Sequence, residues 1–126
     1  MAIRNRRFTF RGQIKISPSD MSLLRRGQKK CTVRVGVINV IGTDLFMTDG
    51  QQRVKIRISE VDNQRVYREL TNQDALDEGF SSLAELQKDL SVYYGTIDPD
   101  QPVTVIRFDV VDEQGTRSAD AERSMT

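Results

Sequence analysis

Apolar residues recur with two periods along this chain, and the changes between them mark out its elements. Phe8-Thr9-Phe10 and Gln13-Ile14-Lys15-Ile16 alternate with period two and predict opening strands. Ser17-Pro18-Ser19-Asp20 then reads as a helix start, with a capping serine, proline at the first helical position and an acid three residues after the cap. The helix carries Met21, Leu23 and Leu24 and stops at Gly27, where a left-handed residue is favoured. From Cys31 the alternation returns. Cys31, Val33, Val35 and Val37 fall on one side, Thr32 and Arg34 on the other. The apolar side needs a core, so the other is left to solvent or a cleft. Leu45-Phe46-Met47, a turn at Asp49-Gly50 and Arg53–Ile58 predict a hairpin, with Val54, Ile56 and Ile58 pointing one way and Arg53, Lys55 and Arg57 the other.

Two helices follow. Thr71-Asn72-Gln73-Asp74 opens a short one that Gly79 closes. Ser82-Leu83-Ala84-Glu85 reads as a capping box for a longer one, with Leu83, Leu86, Leu90 and Tyr93 at helical spacing and Gly95 at its end. Asp98-Pro99-Asp100-Gln101-Pro102 is a loop, and Val103–Val111 a strand expected to be central to its sheet. From Asp112 the residues are small, polar and charged, which predicts a disordered tail over 112–126. Strands, helix, strands, two helices and a strand amount to an α+β chain, a small mostly-β barrel with flanking helices.

At 126 residues the chain is one domain, able to bury a core without disulfides or metal. Its single cysteine, Cys31, lies on an apolar face and is expected to be a buried thiol. The same usage points to a reducing cytoplasm. No apolar run reaches the ~18 residues of a membrane span, so the expectation is a soluble protein with no membrane partner. The absence of histidine excludes Ser-His-Asp and Cys-His catalysis and removes the main ligand of zinc sites. Any general base is then Lys, Asp, Glu, Tyr, Cys or water. No metal is expected, since nothing in the carboxylate spacing suggests one.

Charge adds a partner class. Residues 1–35 carry ten Lys/Arg against Asp20 alone, about +9, and the remainder sums to about −8 for a total of +1. Arg4, Arg6, Arg7, Arg11, Arg25 and Arg26 form a candidate nucleic-acid patch, with RNA as the polyanion. The alternative is that the basic third folds against the acidic part and pairs with it.

Three segments carry a resemblance. Gly27-Gln28-Lys29-Lys30-Cys31-Thr32-Val33-Arg34 resembles the Gly-x-Lys-x-x-Thr-x-Arg segment of ASCH domains, a branch of the PUA-like superfamily. The block from Leu70 to Leu86 is similar to that family's helix pair with its acidic-Gly-Phe-x-Ser hinge, here Glu78-Gly79-Phe80-Ser81-Ser82. Val103–Phe108 is similar to its final strand, with Tyr94 near the usual aromatic. The resemblance covers about residues 14–111 and implies a PUA-like small mixed β-barrel with flanking helices. It divides the chain into a basic extension or first strand over 1–12, an ASCH domain over 13–111 and the tail over 112–126. Among members, the small bacterial N4-acetylcytidine amidohydrolases make the nearest functional comparison. Their acting Lys, Thr and Glu fall on Lys29, Thr32 and Glu78, and Arg34 also matches. The implied reaction takes N4-acetylcytidine to cytidine and acetate with no cofactor. The chain departs from those enzymes in its basic extension, its polar tail and an extra residue in Gly42-Thr43-Asp44, and the extension favours a polymer over a free nucleoside.

The residues themselves constrain this chemistry. On a regular strand Lys29 and Thr32, three apart, point to opposite faces, so both reach one site only if Lys29 sits in the turn after Gly27. Crowded by Lys30 and Arg34 and partly desolvated, such a lysine can give up its proton and serve as a base for the Thr32 hydroxyl. Glu78 would protonate the leaving amine or hold the lysine, and Arg34 or backbone N–H groups would stabilise the oxyanion. Lys30, Arg34 and Tyr94 are the expected substrate contacts, with Tyr93 or Tyr94 stacking on a base. Each also has a plain reading: Lys29 and Lys30 as a solvated turn, Thr32 as a strand former, Glu78 as an exposed helix end, and Arg34 paired with Asp77 or Glu78. Three functions follow: an amidohydrolase, a non-catalytic RNA-binding module and, ranked below them for want of histidine, a ribonuclease. The partner is a modified nucleoside or RNA, and the expected state a monomer or weak homodimer.

Overall fold

The structure, a computed structural model, describes residues 7–111. The expected tail, with Arg4 and Arg6 of the basic patch, lies outside the described residues. Within them the order is β1 (Arg7–Lys15), α1 (Pro18–Arg25), β2 (Cys31–Val35), β3 (Val37–Thr48), β4 (Arg53–Val66), a 3-10 turn at Tyr67–Glu69, α2 (Asn72–Glu78), α3 (Leu83–Tyr94) and β5 (Pro102–Val110). The strands form one sheet in the order β1-β3-β4-β5-β2, parallel between β1 and β3 and antiparallel elsewhere. It curls into a half-barrel, so the class is the α+β one expected. β5, between β4 and β2, is an interior strand, as its apolar run requires.

The curl begins at Gly36. With φ at +115° it turns the chain between β2 and β3, so one continuous segment serves both ends of the sheet. Thr104 secures this corner: its hydroxyl donates to the Gly36 carbonyl at 2.8 Å and accepts from the Ile38 N–H at 3.0 Å. β1 and β2 are the two edges, and a side chain spans the seam between them. Arg34 on β2 donates from Nη2 to the Lys15 carbonyl on β1 at 2.6 Å.

Two apolar clusters follow from strand alternation. Cys31, Val33 and Val35 of β2 join Val103 and Val105 of β5 under Ala75 of α2 and Leu86 and Leu90 of α3. On the other face Ile14, Leu45, Met47, Val54, Ile56 and Phe108 close around Met21 and Leu24 of α1, which stops one end of the half-barrel. Thr32 and Arg34 share that second face, at its open margin. The serine cap of α1 forms as expected, Ser17 Oγ accepting from the Asp20 N–H at 3.1 Å.

Phe8-Thr9-Phe10 and Gln13–Lys15, expected as opening strand material, are parts of one strand with a register shift around Gly12. Other elements differ from expectation. β4 runs on to Val66, well past Ile58. Shifts between Ile58 and Glu60 and between Asp62 and Arg65 break the alternation that sequence reading follows. Ser82 caps α3, but the Glu85 carboxylate accepts from Ser81 N–H and Oγ, not from Ser82, so the box is not reciprocal. On α3, Leu86 and Leu90 are buried while Tyr93 is 65% exposed. Among the described residues no helix is long and apolar enough to cross a membrane.

Candidate functional site

Lys29 is 2% exposed and Glu78 6%, and the two form an ion pair. This contact joins residues 49 apart in sequence, and local geometry accounts for it. After α1 the chain turns at Gly27, and Gln28 N–H donates back to the Leu23 carbonyl at 2.9 Å. Lys30 N–H donates to the Asp77 carbonyl at 2.6 Å, and the Lys30 carbonyl accepts from Phe108 N–H at 3.2 Å. Lys29 is therefore held in the turn ahead of β2, the placement that lets it share a site with Thr32. α2 approaches closely because it ends on Gly79, at φ +107°. A Cβ there would stand 2.9 Å from Leu23 Cδ1 and 3.4 Å from the Gln28 carbonyl.

Glu78 has a second anchor. β2 is an edge strand, so alternate N–H groups point away from β5. Val33 N–H is one of them, and it donates to Glu78 Oε2 at 2.7 Å. Burial pushes the Glu78 carboxyl up from its ordinary range, opposed by the charge and hydrogen bond of Lys29 and by the Val33 N–H. The Asp20 charge pushes the same way as burial.

Above this pair lies a cavity of about 480 Å³. Its strand wall is Lys15, Thr32, Val33 and Arg34; its helical walls include Asp20 of α1, Glu78 of α2, and Asp89, Tyr93 and Tyr94 of α3. Thr32 is 2% exposed, and its Oγ1 accepts from Arg34 Nε at 3.1 Å, so the hydroxyl proton is directed elsewhere. The Arg34 guanidinium also lies 5.4 Å from the Phe10 ring centroid. Asp89 is raised by burial and by Asp20, with the Lys29 charge opposing.

Sequence reasoning thus gathered Lys29, Thr32, Glu78, Arg34 and Tyr94 in one region. Lys29 lies behind Glu78 and does not line the cavity. Lys30 is exposed and outside the lining. Arg34 does not pair with Asp77 or Glu78: its hydrogen bonds go to Thr32 and the Lys15 carbonyl. Tyr94 packs partly against the first core cluster, and Tyr93 stands at the rim. Lys15, Asp20 and Asp89 were not foreseen, because cavity walls assembled from three separate elements leave no spacing in the chain. Arg7, Arg11, Arg25 and Arg26 are exposed. Among the described residues of the first third, Lys29 is the one with an ion pair to the acidic remainder.

A second buried centre sits one turn earlier on α2. Asp74, 2% exposed, pairs with Arg65 of β4 and, at 2.8 Å, with Arg107 Nη2 of β5; its carboxylate also accepts from Thr71 N–H at 2.8 Å. Burial acts to raise Asp74, but these hydrogen bonds and the Arg65 charge outweigh it and hold the carboxyl at about 2. Cys31 is buried, as its face predicted; its thiol donates to the Asp74 carbonyl at 3.6 Å and is pushed far up by burial. Among the described residues no group of three or more His, Cys, Asp or Glu could hold a metal ion.

Comparison with known proteins adds the fold's name. No protein-family description matches the sequence, and no curated protein matches it. An ASCH domain of Lactobacillus crispatus JV V101 superposes with a TM-score of 0.62 at 17% identity, over 85% of this chain and 81% of that one. A protein of Enterococcus faecalis V583 from the family DUF984 superposes with a TM-score of 0.51 at 21% identity, over 74% and 70% of the two chains. The fold is ASCH-like, of PUA-like α+β type.

Proposed function

We propose that this chain is an RNA- or nucleoside-directed amidohydrolase that removes an acyl group from a modified cytidine, N4-acetylcytidine giving cytidine and acetate. The supporting observation is the buried Lys29–Glu78 pair, whose Glu78 lines, together with Thr32 and Arg34, a cavity large enough for a nucleoside. In a dry site an ammonium–carboxylate pair and its neutral amine–carboxylic acid form lie close in energy, because burial penalises both charges. The pair can therefore present a base and an acid at once. Lys29 as the amine takes the Thr32 hydroxyl proton while the Thr32 oxygen bonds to the acetyl carbon. Arg34, already on Thr32 Oγ1, faces the oxyanion that develops. As the C–N4 bond breaks, Glu78 delivers its proton to the departing nitrogen. Water, giving a proton to the Glu78 carboxylate, then attacks the acyl carbon; as the ester C–O bond breaks Lys29 returns its proton to Thr32 Oγ1, and the acetic acid released loses its own proton to solvent.

Incubating the protein with N4-acetylcytidine and following cytidine and acetate by chromatography tests the reading. Turnover that is lost in Lys29→Ala and Thr32→Ala is expected. Turnover no greater than that of the Lys29→Ala protein refutes it. The exposed cations of the first third favour a second role, binding of an RNA chain, which is compatible with the first.

A further inference from the structure

The outer face of the β1–β3–β4 sheet carries a row that the cavity chemistry does not use. Lys15 pairs with Thr48, and Thr48 with Arg53, so these three lie side by side across the sheet over two strand spacings, about 10 Å. Ile14, Met47 and Val54, the alternate positions, are buried, which fixes the row on the outside. Phe46 and Lys55 are the next cross-strand pair on that face, and the Arg53 guanidinium lies 4.1 Å from the Phe46 ring centroid. The row continues over the hairpin turn to α1, where Arg25 Nε donates to Gln52 Oε1 at 2.6 Å. Arg26 is exposed beside it. Acids stand at its margins. Asp44 is paired with Arg57, with Asp109 near the same arginine, and Asp49 spends its side chain on the Gln51 and Gln52 N–H groups. The other end of the row is Lys15, which is itself part of the cavity wall.

We propose that this face is a track for single-stranded RNA, running from Arg25 and Arg26 over Arg53, Phe46 and Lys55 to Lys15, where a nucleotide turns into the cavity. Spaced cations suit a phosphate chain, and an arginine already stacked on an aromatic ring offers a flat surface to a base. The proposal deepens the reading above and rests on it only for the chemistry at the cavity. It selects polymer over free nucleoside as the substrate class, and it adds Arg53 and Lys55, with the Phe46 ring, to the basic residues foreseen from sequence.

Fluorescence anisotropy with a labelled 12-nucleotide single-stranded RNA over a series of salt concentrations tests it. Wild-type affinity should fall steeply with salt. Arg53→Glu/Lys55→Glu should bind at least tenfold more weakly, with the log–log salt slope smaller by about two. Thermal melting reports whether that variant folds; the milder Arg53→Gln/Lys55→Gln, expected to weaken binding about fivefold, covers the case in which it does not. Unchanged affinity in a folded variant overturns the track, as does equally tight binding of polyglutamate of similar length. Hydrolysis of free N4-acetylcytidine needs no track. RNA binding without hydrolysis therefore refutes only the amidohydrolase, and hydrolysis without RNA binding refutes only the track.

Discussion

Asp74 and Glu78 lie one turn apart on the same short helix, both buried, both facing a cation, and they are prepared for opposite tasks. Asp74 has two arginines and a backbone N–H, and its carboxyl is held at about 2. Glu78 has one lysine and one backbone N–H, faces a cavity, and is pushed upward. Arginine does not give up its proton in proteins; a buried lysine can. The first centre is thus a fixed staple that fastens α2 to β4 and β5. The second pairs a raised carboxyl with a lysine beside a cavity, and the proposed reaction draws on that pair. Burial of charge alone does not distinguish a structural pair from a working one. The number of compensating donors, the identity of the cation and access to a cavity do.

The most severe test of this contrast is kinetic. Thr32→Ala and Glu78→Gln should each lower deacylation of N4-acetylcytidine by roughly 10³-fold, about 4 kcal/mol of barrier, in steady-state assays. Asp74→Asn, measured under conditions where the protein remains folded, should change it only a few-fold. Comparable losses at the two sites would erase the distinction.

Stability should show the reverse. Asp74→Ala takes the buried carboxylate from Arg65 and Arg107, leaving Asp62 to the first and Asp77 and Glu60 to the second, and should cost about 3 kcal/mol in urea unfolding. Lys29→Met leaves only Glu78, which escapes by taking up a proton, so about 1–2 kcal/mol is expected.

The pH dependence follows from the signs. Asp74 is depressed when folded, so its contribution is complete above the unfolded carboxyl range near 4 and disappears as pH falls through about 2. Roughly 2 kcal/mol should be lost over that interval, and Asp74→Asn should flatten the curve. Glu78 is raised, so its contribution has the opposite slope: present at low pH and lost as pH rises through its folded value. Unfolding curves for the two single variants between pH 2 and 7 would separate the slopes.

The smallest effect concerns how the sites are held. Gly79→Ala meets an unfavourable positive φ and a 2.9 Å approach to Leu23 Cδ1. It should cost about 1–2 kcal/mol by thermal melting, with activity falling because Glu78 moves with the end of the helix.

Much of this was legible in the chain, and the limits are physical. Ser17, Thr71 and Gly79 announced helix ends through local hydrogen bonding, which a sequence records directly. Asp-Gly at 49–50 announced the hairpin. Lys29, Thr32 and Glu78 were assembled from a family resemblance, since nothing in spacing alone joins residues 29 and 78. The Asp74 centre was missed because its arginines lie on β4 beyond a bulge and on β5, where a charged residue in an apolar run reads as a surface position. Periodicity left open which of Tyr93 and Tyr94 faces the core; Tyr94 packs against it and Tyr93 is exposed. Long-range topology, not propensity, decided each of these.

The seam between the two edge strands leaves one more implication. Where a barrel normally closes by a ladder of backbone bonds, here the Arg34 guanidinium reaches across to β1, to the Lys15 carbonyl and the Phe10 ring. The same arginine donates to the Thr32 hydroxyl oxygen, so a guest that draws the guanidinium toward itself would disturb the seam and the threonine together.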